Sequence, residues 1–133
     1  MRFVLLQNYG EVASGAPPMG EWAPEDIKAH IDFQIALNDE LLKRGELVDA
    51  QGLTGPDQAK FVVSDGKSAP VVTDGPYPES KELLAGFRLI DVESLDRAIE
   101  IAAQASAAPG FRGEPIRDHI EVREVMGAPD LEV

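Results

Sequence analysis

From Pro24 to Arg44 the chain carries one unbroken helical pattern, and that pattern dictates what must surround it. Placed at roughly 100° per residue, Ile27, Ile31, Phe33, Ile35, Leu37, Leu41 and Leu42 share a wide apolar arc, while Lys28, Asp32, Asp39 and Lys43 point away. An arc that broad needs a broad partner, and a β-sheet is the simplest one. The boundaries follow from local chemistry. Pro24 fits the first helical turn, Glu25 and Asp26 sit at the positive end of the helix dipole, and Gly45 permits the turn that ends the helix.

Short apolar runs bounded by turn residues supply the sheet. Arg2 to Gln7 reads as a buried strand, Leu47-Val48 with Leu53 as a second one broken at Gly52, and Lys60 to Ser64 as a third ending in the tight-hairpin signal Asp65-Gly66. Pro70 to Thr73 is its edge-like return, Phe87 to Val92 a further strand, and His119 to Val125 the last. Ser94 caps a second helix through Leu95, Ile99 and Ala103 that ends before Pro109-Gly110. The order predicts a single domain over residues 1–133, an α+β sandwich of the ferredoxin-like kind with both helices on one side. The other sheet face then needs a cover, which predicts a homodimer. The segment from Tyr9 to Ala23 is long for a loop in a compact domain and reads either as an ordinary surface loop or as a functional lid.

Charge narrows the function classes. With 24 acidic and 12 basic side chains, the formal charge of −12 repels phosphate backbones and anionic lipid surfaces, so neither nucleic acid nor membrane is expected as a partner. The absence of cysteine removes disulfides, thiolate nucleophiles and Cys-based metal sites. The first apolar run, Phe3 to Leu6, is too short for a signal-peptide core or a membrane span, and a cytoplasmic location is expected. His30 and His119 are the two histidines, and no short spacing gathers three ligands, so no metal is expected. No Gly-rich phosphate loop and no nucleophile elbow occurs, and no cofactor is expected either.

The informative polar pattern is His30, Gln34 and Asn38, spaced i, i+4, i+8, in one row along the middle of the apolar arc. Each costs on the order of 1–3 kcal/mol if buried without a hydrogen-bond partner. The row is therefore either a structural network beneath the helix or the lining of a polar pocket in which His30 serves as acid and base. Arg88 alternates out of phase with Phe87 and Leu89, which predicts a solvated or interface position for it.

Asp74-Gly75-Pro76-Tyr77, followed by Glu79, Lys81, Glu82 and Gly86-Phe87 leading into Leu89-Ile90-Asp91-Val92, resembles the signature of the DGPF branch of the YCII-related family, with Tyr77 in place of the usual phenylalanine. The likeness extends to the opening strand, the histidine-bearing helix, Gly52-Leu53, the Asp-Gly hairpin and the final Ile120-Glu121-Val122-Arg123. It implies a dimeric α/β barrel built on ferredoxin-like chains, a family mostly without established activity. Some related members carry a His–Asp pair taken as the active site, lyase-type elimination on small hydroxylated aromatics is associated with the wider superfamily, and this branch is linked to extracytoplasmic-function sigma factors. Carried onto this chain, the histidine falls on His30. The acid falls on Asp39 or Glu40 of the same helix by the short-protein pattern, or on Asp74 of the signature; Asp39 points to the polar side, which favours Asp74.

The expectation is thus a pocket with His30 and Asp74 as catalytic pair and Gln34, Asn38, Tyr77 and Lys81 as ligand contacts, running cofactor-free acid–base chemistry of lyase type on a small molecule. The alternative is a module without turnover that binds a metabolite or a protein partner in transcriptional regulation.

Overall fold

The computed structural model of the chain describes residues 1–8, 17, 19–75 and 84–128. Among these it forms strands β1 (Arg2–Asn8), β2 (Leu47–Gly52), β3 (Lys60–Val63), β4 (Val71–Asp74), β5 (Leu84–Asp91) and β6 (Ile120–Glu124), with helices α1 (Pro24–Lys43) and α2 (Leu95–Ser106). The strands β2, β5, β1 and β6 make one antiparallel sheet in that order, while β3 and β4 pair separately as a hairpin. Antiparallel order with two helices on one face is compatible with the ferredoxin-like architecture.

The local signals explain the element ends. Ser94 caps α2 by accepting the Arg97 amide at 3.1 Å, and α1 stops where Gly45 takes φ +72°, a region that suits glycine. The Asp65-Gly66 turn is longer than a two-residue hairpin. Asp65 Oδ1 accepts the amides of Lys67 and Ser68 at 2.9 and 2.8 Å and organises a wider loop, with Gly66 at φ +77°. Val62, Val63, Val71 and Val72 on this hairpin are all exposed.

Register settles which side chains face the helices. Across the sheet Leu47, Ile90 and Phe3 stand in one row, Ala50, Arg88, Leu5 and Val122 in the next, and Gly52, Gly86, Gln7 and Ile120 in the third. The first row packs with Leu37 and Leu41 of α1 and Ala98, Ile101, Ala102 and Ala105 of α2 into the core. The expected apolar arc of α1 is narrower than its sequence suggested: Ile31, Ile35 and Leu42 are exposed, and the sheet-facing stripe is Ile27, His30, Phe33, Gln34, Leu37, Asn38 and Leu41. Three of these seven are polar, and two of the three bond Arg88 of β5.

The expected solvated position of Arg88 is overturned. Gly86, Arg88 and Ile90 point toward the helices, whereas Phe87 and Leu89 lie on the opposite face, so Arg88 is 6% exposed beneath α1. Among the described residues no helix is long and apolar enough to cross a membrane.

Candidate functional site

The third and second rows of the sheet leave space under α1. Gly52 and Gly86 are directly paired, so neither contributes a side chain, and a Cβ on Gly86 would come within 2.7 Å of the Gln51 carbonyl oxygen. Close strand approach therefore requires glycine there, and glycine in turn leaves the sheet bare. The result is a cavity of about 680 Å³, large enough for a small organic molecule. Its polar lining comes from His30, Gln34, Asn38, Arg88, Gln7 and Asp118, and Trp22, Met19, Leu53 and Ile116 contribute apolar wall.

His30, Gln34 and Asn38 do converge as their spacing implies, and Arg88 is what joins them. Arg88 Nε donates to Asn38 Oδ1 at 2.8 Å, and its Nη2 donates to Gln34 Oε1. With Oε1 so engaged, Gln34 turns its amide nitrogen toward His30 Nε2 at 3.4 Å, while His30 Nδ1 lies 2.9 Å from the Pro109 carbonyl oxygen. A carbonyl can only accept, so the proton sits on Nδ1, and Nε2 presents a lone pair. The bonds run in one direction, from guanidinium through Gln34 and imidazole to the main chain. Each member fixes the orientation of the next. The indole of Trp22 meets the imidazole edge to face, with ring centroids 5.7 Å apart at 80°, and is itself held by a 2.8 Å bond from its Nε1 to the Pro17 carbonyl.

The acid that shares the cavity lining with His30 is Asp118. Its carboxyl is half-buried, accepts Gln7 Nε2 at 3.1 Å, and lies close enough to His30 to feel its charge. Burial pushes its pKa above the ordinary carboxylate value, against the Gln7 bond and the nearby histidines, which pull it down. Its backbone is pinned against the end of α2: Ser106 Oγ donates to the Asp118 carbonyl at 2.7 Å and the Arg117 amide to the Ser106 carbonyl at 2.8 Å.

Asp74, expected as the partner of His30, stands elsewhere. It lies on the β3–β4 hairpin with its side chain 79% exposed, paired with Lys60, and is not among the residues that line the cavity. Tyr77 and Lys81 lie outside the described residues. Among the described residues no group of three or more His, Asp or Glu side chains is placed to hold a metal ion.

Sequence reasoning missed Arg88, Asp118, Gln7 and Trp22. Arg88 had no local signal, because the parity of β5 is set by its pairing with β2. Asp118 had no local signal, because the contacts that place it come from the end of α2.

Comparison with known proteins adds a lineage to this geometry. A model of the YCII-related domain matches residues 1–126. An uncharacterized protein of Rhizobium meliloti (strain 1021) is 32% identical over 87 residues, covering 65% of this chain and 69% of that relative. A match that spans nearly the whole sequence places the chain in the YCII-related family.

Proposed function

We propose that the protein takes a small organic molecule into the cavity beneath α1 and moves a proton on it through His30, without a cofactor. The observation that carries this reading is the imidazole with Nδ1 anchored on Pro109 and Nε2 directed at a weak, 3.4 Å donor, beside a 680 Å³ cavity. A lone pair held that loosely is available to a ligand hydroxyl or an acidic C–H. Asp118 takes the role that the sequence reading preferred for Asp74: it lines the same cavity as His30 and is the acid placed to return a proton to the leaving oxygen of a lyase-type elimination. Gln34 and Asn38 position rather than react, since both are engaged by Arg88.

A homodimer of the α/β-barrel type belongs to the same reading. The sheet face opposite the helices carries Val4, Leu6, Phe87 and Leu89 by alternation, and a second copy would cover it. Membership of the DGPF branch and a link to sigma factors follow from the resemblance carried by Asp74-Gly75-Pro76-Tyr77 and the residues after it, and a cytoplasmic location fits a chain without cysteine.

The test is solvent exchange. Carbonyl-containing small molecules incubated with the protein in deuterated water should gain deuterium next to the carbonyl in at least one case, and His30→Gln should abolish the gain. Equal exchange with His30→Gln would remove the catalytic role. Retained ligand affinity in that variant, with no exchange by either protein, would favour the module without turnover.

A further inference from the structure

Arg88 is 6% exposed, yet among the described residues its polar partners are the neutral amide oxygens of Asn38 and Gln34, not a carboxylate. Arg97, the other arginine with a largely buried side chain, behaves differently: it forms bonds of 2.8 and 2.9 Å to Glu46 and another of 3.1 Å to Glu100. A guanidinium taken out of water without a counter-charge is costly, and burial correspondingly lowers the Arg88 pKa. Asn38 and Gln34 occupy the side of the guanidinium formed by Nε and Nη2. The end formed by Nη1 and the second Nη2 proton has no partner among the described residues. No buried side-chain nitrogen or oxygen is left unpaired among them, and the space Arg88 lines is the cavity.

We propose that Arg88 is an anion anchor, and that the ligand of this cavity carries a carboxylate which docks end-on against the guanidinium. A planar carboxylate matches two parallel N–H donors, and among the described residues that line the cavity Arg88 is the one lysine or arginine. Gln34 and His30 continue from the anchor, so the carboxylate end is fixed while the rest of the molecule lies toward Nε2 and Asp118. This assignment rests on the cavity being a ligand site and names the chemical class it selects.

The test uses the matched pair 4-fluorobenzoate and 4-fluorobenzamide, read by fluorine NMR line broadening and by the His30 imidazole signals of the intact protein. Benzoate should bind at least about tenfold more tightly than benzamide. Arg88→Lys should keep part of that preference and Arg88→Gln none of it, with circular dichroism confirming that each variant is folded. If neither variant folds, the preference of the unaltered protein decides alone. Equal binding of both probes, with His30 signals moving, would overturn the anion anchor and leave the cavity as a neutral-ligand site. If neither probe moves the His30 signals, the anchor and the ligand site fall together.

Discussion

One helix, α1, packs on one sheet in two different ways. Toward its C-terminal end Leu37 and Leu41 close on Phe3, Ile90 and Leu47, and Leu41 and Ile90 are fully buried. Beside them, from mid-helix toward the N-terminus, the same stripe carries Asn38, Gln34 and His30 along the cavity with Ala50, Gly52 and Gly86, and a buried arginine replaces the apolar filling. The first half is a core that stabilises by excluded water and dispersion. The second half holds polar groups whose hydrogen bonds satisfy them without filling the space. The helix is thus secured by one row of side chains while the neighbouring row borders a hollow.

The largest effect expected from breaking this division is in the packed half. Leu41→Ala should destabilise by about 2–5 kcal/mol, measured by urea unfolding, because the site is fully enclosed and cannot relax. A loss under about 1 kcal/mol would mean that the two halves are equally loose. Next, Arg88→Met should cost roughly 1–3 kcal/mol by orphaning Gln34 Oε1 and Asn38 Oδ1. Pairing it with Asn38→Ala in a double-mutant cycle should return a coupling above about 0.5 kcal/mol, and strict additivity would deny the bond its role.

Two carboxyls give the halves opposite pH signatures. The Arg97 guanidinium holds Glu46 below its ordinary 4.5, so the ionised form favours the fold; that contribution is present above 4.5 and is lost as pH falls through the folded-state value. Burial holds Asp118 above its ordinary 3.8, so the protonated form favours the fold; that contribution is present below 3.8 and is lost as pH rises through the folded-state value. Glu46→Gln should therefore lower the Tm at neutral pH and converge on the unaltered protein in acid. Asp118→Asn should raise the Tm at neutral pH and converge in acid as well. A lower Tm for Asp118→Asn at neutral pH would remove the case that this carboxyl is kept for chemistry at a cost in stability. The smallest effect is expected at Asp74→Asn, where an exposed pair with Lys60 is worth under about 1 kcal/mol. His30 imidazole signals should move with Asp118→Asn and stay with Asp74→Asn.

The elements were legible in the sequence where their causes are local. Pro24, Ser94 and Gly45 mark helix ends by capping and turn chemistry, and the row of His30, Gln34 and Asn38 follows from helical spacing alone. What was not legible depends on partners distant in the chain. Phe87 and Leu89 are apolar on the face away from the helices, so alternation in β5 supports either parity, and only the pairing of Gly86 with Gly52 and of Arg88 with Ala50 decides it. Asp118 is positioned by Ser106 and Gln7, neither of which a reading of residues 115–121 could supply.

The central claim is that Arg88, Gln34 and Pro109 together hold the His30 proton on Nδ1 and leave Nε2 as a base facing the cavity. Long-range proton–nitrogen correlation NMR of His30 in its neutral form reads this directly. A protonated Nδ1 and an unprotonated Nε2 are expected, and the assignment should persist in Gln34→Ala because the Pro109 carbonyl still accepts from Nδ1. A proton on Nε2 would reverse the direction of the bonds and leave the cavity without its base.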